Sequence, residues 1–217
     1  MPLFSFEGKS PKVHPTAFVA PTAVVIGDVT VEERASVWYN AVLRGDFNPI
    51  VVRRGANVQD CAVVHVTPRG GTEIGAGATV GHNCTIHAAT LGDECLIGNG
   101  ATVLDGARIG ARAMVAAGAL VTPETEIPEG MLALGAPAKV RGPLASGTLG
   151  ARQSGGLSGA RAAPQGIDQA LLTSWQHPGG SRFSSSPVAA SSGRRALASA
   201  LPRGRHESPH GWTRPAS

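Results

Sequence analysis

An aliphatic residue returns at every sixth position through most of the first 130 residues, a period that neither a helix nor a two-faced strand can use. The first run is Val13, Val19, Val25, Val31, Val37 and Leu43, with a small or aliphatic residue two places earlier at Ala17, Ala23, Val29, Ala35 and Ala41. It resumes as Val52, Val58 and Val64, then as Ile74, Val80 and Ile86, and then as Leu91, Ile97, Val103, Ile109, Val115, Val121 and Ile127. Each interruption shifts the register without ending the repeat. Hexapeptide repetition of this kind marks a parallel β-helix, in which every short strand is one side of a prism and turns fall at the corners. The expected fold is therefore all-β, with the recurrent aliphatic residues pointing inward and stacked coils about 4.8 Å apart. Gly27, Gly75, Gly81, Gly92, Gly98 and Gly110 are expected to supply backbone freedom at the bends.

Three histidines interrupt the outer surface of this repeat. His65 directly follows Val64, and His87 directly follows Ile86, three hexads later. If three hexads close one coil, the two rings stack on the same outer face of adjacent coils. That is near enough to share one ion at the usual Zn–N distance of about 2.0–2.1 Å. His82 lies two places after Val80 and belongs to the preceding side of the prism. A rigid prism cannot turn it toward the other two. A cyclic trimer solves the geometry, because His82 of one subunit can then meet His65 and His87 of its neighbour at each of three interfaces.

The segments Leu43-Arg44-Gly45-Asp46, Asn57-Val58-Gln59-Asp60, Val64-His65, Gly81-His82-Asn83 and Ile86-His87 occur in the order of the motifs of the γ-class carbonic anhydrases. The chain resembles that family over roughly residues 10–142. The resemblance implies a left-handed β-helix, a homotrimer with metal sites shared between subunits, and His65, His82 and His87 as ligands. It implies zinc, with iron(II) or cobalt as other metals that imidazoles accept. The implied reaction is reversible hydration of carbon dioxide to bicarbonate. Gln59 would orient the attacking hydroxide, Arg44 and Asp46 match an interfacial ion pair near the site, and Asp60 matches a supporting or interfacial carboxylate. Asn57 is a lesser candidate, since asparagine also suits a β-helix corner.

Two departures point to the shorter, loopless branch of the family, in which activity varies. Phe47 stands where the archaeal prototype has a glutamate after its Arg-x-Asp motif. The stretch Val66-Thr67-Pro68-Arg69-Gly70-Gly71 is short and lacks the acidic residues that export protons there. A non-catalytic metal-binding trimer serving as a scaffold is the alternative. A hexapeptide acyltransferase, suggested by Gly135-Ala136-Pro137-Ala138-Lys139, comes third because those enzymes lack the histidine trio.

The domain boundary falls at residue 142. Residues 1–142 carry 11 Lys and Arg against 13 Asp and Glu, whereas residues 143–217 carry 8 Arg against 2 acids, so the basic character belongs to the tail. The six-residue period stops there, and Gly, Ala, Ser and Pro make up 43 of the last 75 residues, too little apolar pattern for a core. Residues 143–217 read as an irregular, solvated extension without the charged helix the family would supply. Arginine without lysine in such a composition is what an out-of-frame GC-rich segment encodes. The arginines are scattered and carry no nucleic-acid motif, so no nucleic-acid partner is expected. Cys84 and Cys95 fall at the small inward position and are expected to be buried thiols, with Cys61 out of that phase. His14, His177, His206 and His210 are expected to be solvated, and Trp38 and Tyr39 to cover an outer packing surface. No signal peptide or membrane-length apolar run is present, and the expected location is cytoplasmic, with no membrane contact.

Overall fold

A computed structural model of the chain describes residues 2–144. Apart from Pro143 and Leu144, the C-terminal extension and the expectations attached to it lie outside the described residues. The described chain is all-strand and winds as a parallel β-helix of hexapeptide repeats with about seven turns. Its first face stacks Phe18–Val19, Ser36–Val37, Asn57–Val58, Thr79–Val80, Leu96–Ile97, Met114–Val115 and Met131–Leu134, each pair parallel. The other two faces form a single sheet, because Val24–Val31 and Val42–Val52 run unbroken around the corner between them. The second face continues through Val63–His65, Thr85–His87, Thr102–Val103 and Leu120–Val121. The third continues through Thr72–Ile74, Thr90–Leu91, Arg108–Ile109 and Glu126–Ile127.

The hexad fixes this register. Each side of the prism turns two residues inward, a large one at mid-strand and a small one near the corner where two walls converge. The large set, which includes Leu43, Val58, Val64, Ile74, Val80, Ile86, Ile97 and Val103, is fully buried, as are Ala56, Ala62, Ala78, Ala101, Ala107 and Ala113 at the small position. Burial of each Val or Ile contributes roughly 1.5–3 kcal/mol. Cys84 and Cys95 occupy that small position as buried free thiols, while Cys61 is exposed. Inserted residues are absorbed at corners: the residues between Val64 and Ile74 form a short loop closed by a Thr67–Gly70 bridge, and Val64 still pairs with Ile86.

The glycines divide into two groups, and five of the six expected at bends are there for another reason. Gly27 has a positive φ of 74° and is also pressed by the Gly45 carbonyl, whereas Gly75, Gly81, Gly92, Gly98 and Gly110 have no positive φ. At Gly92 a Cβ would meet the Ala111 nitrogen at 2.6 Å and the Ile109 oxygen at 2.8 Å. These positions need glycine because the next coil's backbone is too close for any side chain.

The chain begins and ends the stack in ways the six-residue period does not announce. Leu3–Phe4 adds a parallel strand beside Val25 and Ile26. Lys139–Pro143 turns back antiparallel on Met131–Leu134 and ends the parallel ladder on the first face.

Candidate metal centre

His65 and His87 are ladder partners, and Arg44 is the partner of His65 on the preceding coil. The three side chains therefore form one column on the outer surface of the second face. The two imidazoles lie with ring centroids 5.0 Å apart, and His65 Nδ1 faces His87 Nε2 at 2.9 Å. Two nitrogens bound tetrahedrally to one zinc would be about 3.3 Å apart, so a few tenths of an ångström of ring movement would admit the ion.

Each of the three histidines has its other ring nitrogen on a carboxylate. His65 Nε2 meets Asp46 Oδ1 at 2.9 Å, His87 Nδ1 meets Asp105 Oδ1 at 2.5 Å, and His82 Nδ1 meets Asp60 Oδ2 at 3.0 Å. Metal-binding histidines have this habit, because a carboxylate that accepts one N–H leaves the opposite nitrogen as a lone pair. The chain Asp46–His65–His87–Asp105 has three links, and two neutral imidazoles supply only two hydrogens. Either a third proton or a metal cation must complete the central link. Burial lowers the His65 pKa below its ordinary value, the Arg44 charge acts in the same direction, and the Asp46 hydrogen bond opposes them. That direction disfavours the third proton and suits a ligand that binds metal in its neutral form.

Neighbouring groups hold this pair of histidines in place. Asp46 is 8% exposed and is shared among Arg44 Nη1, His65 and the Phe47 backbone N–H. The Arg44–Asp46 pair thus forms within one chain. Thr72 Oγ1 donates to the His65 carbonyl at 2.7 Å, and Asn48 donates to the Thr67 carbonyl at 2.6 Å, tying down the loop that follows His65. Phe47, 55% exposed, places its ring 6.5 Å from that of His65, and Val63, 42% exposed, flanks the column.

The remaining expected residues gather elsewhere. Gln59 and Asp60 follow Asn57–Val58 on the first face, where Val58 pairs with Val80, so Asp60 and His82 occupy equivalent places on adjacent coils. The His82 backbone N–H donates to Asn99 Oδ1 at 3.1 Å. Asn57 lies on the strand itself, not at a corner, with Nδ2 donating to Ser36 Oγ at 2.8 Å and its buried Oδ1 unpartnered among the described residues. The candidate residues therefore fall into two groups on different faces. One consists of Arg44, Asp46, His65, His87 and Asp105, the other of Gln59, Asp60 and His82. Among the described residues no single-chain group of three or more His, Cys, Asp or Glu side chains could hold a metal.

Of the expected solvated histidines, His14 is exposed and pairs with Thr16, whereas His177, His206 and His210 lie outside the described residues. Trp38 is half-buried and packs on Phe18 at 5.2 Å, and Tyr39 is exposed. Sequence reasoning missed Asp105 and Thr72. Asp105 lies two places after Val103, which stacks on Ile86, so the phase of the repeat makes it the counterpart of Ala88 and does not by itself bring it to His87.

Residues 88–123 match the family described as bacterial transferase hexapeptide (six repeats). Over 143 residues the chain is 48% identical to "Gamma carbonic anhydrase 2, mitochondrial" of Arabidopsis thaliana, an alignment covering 63% of this chain and 51% of that protein. The chain thus spans about half the length of that relative. It is 41% identical over 138 residues to a carbonic anhydrase of Geobacillus kaustophilus, covering 64% of this chain and 76% of the relative. Among solved structures, a hexapeptide transferase family protein from Anaplasma phagocytophilum superposes with a TM-score of 0.68 at 41% identity, covering 71% of this chain and 91% of that one. Its hexapeptide β-helix, its histidine motifs and these relatives together make the chain a member of the γ-carbonic-anhydrase-like family of hexapeptide-repeat proteins.

Proposed function

We propose that the protein hydrates carbon dioxide reversibly at metal sites shared between the subunits of a homotrimer. The observation that carries this reading is the separation of the two half-sites onto different faces of one rigid prism. Each half-site lacks what the other has: His65 and His87 need a third ligand, and His82 needs two. A three-fold arrangement that sets the second face of one subunit against the first face of the next joins them three times and closes the ring. The surface chemistry supports this choice of faces. Beside the histidine column run Val24, Val42, Val63, Thr85, Thr102 and Leu120 with no charged residue, whereas the matching column of the third face mixes Lys12, Glu73, Arg108 and Glu126 with Thr30, Val51 and Thr90.

Zinc, with iron(II) or cobalt as substitutes, would be held by His65 and His87 of one subunit and His82 of its neighbour. A bound ion of this class supplies Lewis acidity that lowers the pKa of water to about 7. The protein's own groups do the rest. Asp46 accepts the Nε2 hydrogen of His65 and holds that ring in the tautomer that leaves a lone pair on Nδ1, while Asp60 lies beside Nδ1 of His82. Arg44 pairs with Asp46 and keeps its carboxylate in place against His65. Gln59, carried beside His82, offers an amide donor and acceptor that orient the attacking oxygen. Phe47 and Val63 give the carbon dioxide side of the site an apolar wall.

A metal-binding trimer without hydration is the second reading, favoured by Phe47 and by a loop that has no carboxylate to carry protons away. Metal analysis coupled to stopped-flow carbon dioxide hydration separates the two, using anaerobically purified full-length protein and a His87→Ala control. We expect bound metal and hydration above the control. Bound metal with hydration no faster than His87→Ala would favour the scaffold.

A further inference from the structure

Asp105 is absent from every motif that defined the site, yet its Oδ1 lies 2.5 Å from His87 Nδ1. It stands at a corner two residues after Val103, one coil beyond His87. The fold does not ask for an acid there. Val103 pairs with Val121 on the next coil, and the corner two residues after Val121 is Pro123; on the preceding coil the same place is Ala88. The Asp105 side chain is 49% exposed, so it seals no core. Among the described residues its carboxylate has only His87 as a hydrogen-bond or ion-pair partner. Asp46, in contrast, is shared by Arg44, His65 and the Phe47 N–H.

We propose that Asp105 is a positioning residue: by accepting the Nδ1 hydrogen of His87 it fixes that ring's tautomer and aims Nε2 toward the ion shared with His65. The inference rests on the shared metal site proposed above. Without Asp105, the tautomer carrying hydrogen on Nε2, which cannot bind a metal through that nitrogen, competes, and the ring loses its tether. The carboxylate also raises the basicity of the bound imidazole, which an amide does to a smaller extent.

The test uses full-length protein and the variants Asp105→Ala and Asp105→Asn. Zinc affinity is read by competition with a chromophoric chelator, cobalt(II) coordination by visible absorption, and stability from the melting temperature of the metal-free form. Asp105→Ala should bind zinc about 10–100-fold more weakly, with an altered cobalt spectrum and an unchanged metal-free melting temperature. Asp105→Asn should fall between, since its amide oxygen still accepts from Nδ1. Parent-like affinity and spectrum in Asp105→Ala would overturn the inference while leaving the shared site standing. Equal losses in both variants, together with a lowered metal-free melting temperature, would make Asp105 a structural corner residue and overturn it too. A parent protein that binds neither zinc nor cobalt would overturn the metal site itself, and this inference with it.

Discussion

His65 Nδ1 and His87 Nε2 face each other at 2.9 Å because Val64 and Ile86, the core residues before them, are partners in one ladder. The rings are 22 positions apart and the stretch between them includes an inserted loop, which the coil absorbs without disturbing the pairing. A chemical site is thus held at the precision of the hydrophobic core. Both rings are outward-facing, while the atoms that set their spacing are fully buried.

Gln59 follows the first-face strand next to the one that leads to His82, and in the proposed mechanism it touches the reacting oxygen, not the ion. Gln59→Ala should keep nearly all the metal and lose hydration by about 10–100-fold. Metal content and kcat measured on the same preparation decide the matter. Parent-like kcat in the variant would remove Gln59 from the mechanism.

The two classes of glycine predict opposite responses. Gly77 has a φ of +66° at a corner where Arg34, Glu94 and Arg112 adopt the same conformation on other coils, and a Cβ there would meet only Glu94 Cγ at 3.5 Å. Gly77→Asn should therefore cost less than about 1 kcal/mol, asparagine being tolerant of this region. Gly92→Ala would press its Cβ against the Ala111 nitrogen at 2.6 Å and should cost about 1–3 kcal/mol or more. Melting temperatures of the two variants check the order, and a reversed order would refute this division of the glycines.

The period of six was enough to read the prism, its core residues and the separation of His82 from the other two histidines, because phase alone assigns each residue to a face. Asp105 was not legible in this way. Its meaning comes from a side-chain contact with His87 across coils, and an aspartate before a glycine looks like ordinary turn chemistry in one dimension. The tight glycines were read as bends for a related reason, since sequence records that a side chain is missing without recording the backbone that excludes it. Leu3–Phe4 and the antiparallel Lys139–Pro143 strand lie where the repeat has no full hexad to count.

Burial pushes the Cys95 thiol up to about 12 from its ordinary 9.0, and the charge of Asp93 adds to the effect. The folded chain therefore keeps the thiol neutral at a pH where the unfolded chain gives up its proton. This contribution to stability is fully present below pH 9 and is lost as pH rises from 9 toward 12. Cys84 is shifted in the same direction by burial. Melting curves between pH 8 and about 10.5 should decline more steeply for the parent than for Cys95→Ala. Parallel declines would mean that Cys95 does not set the alkaline limit.

The claim on which the functional reading depends is that each metal site is built from two subunits. Its most direct test is to mix a His82→Ala chain with a His65→Ala/His87→Ala chain, neither of which retains a complete site alone. Mixed trimers, identified by mass, should regain bound zinc at the interfaces where an intact His65–His87 pair meets an intact His82. Mixed trimers that bind no more zinc than either parent variant would contradict a site shared between subunits.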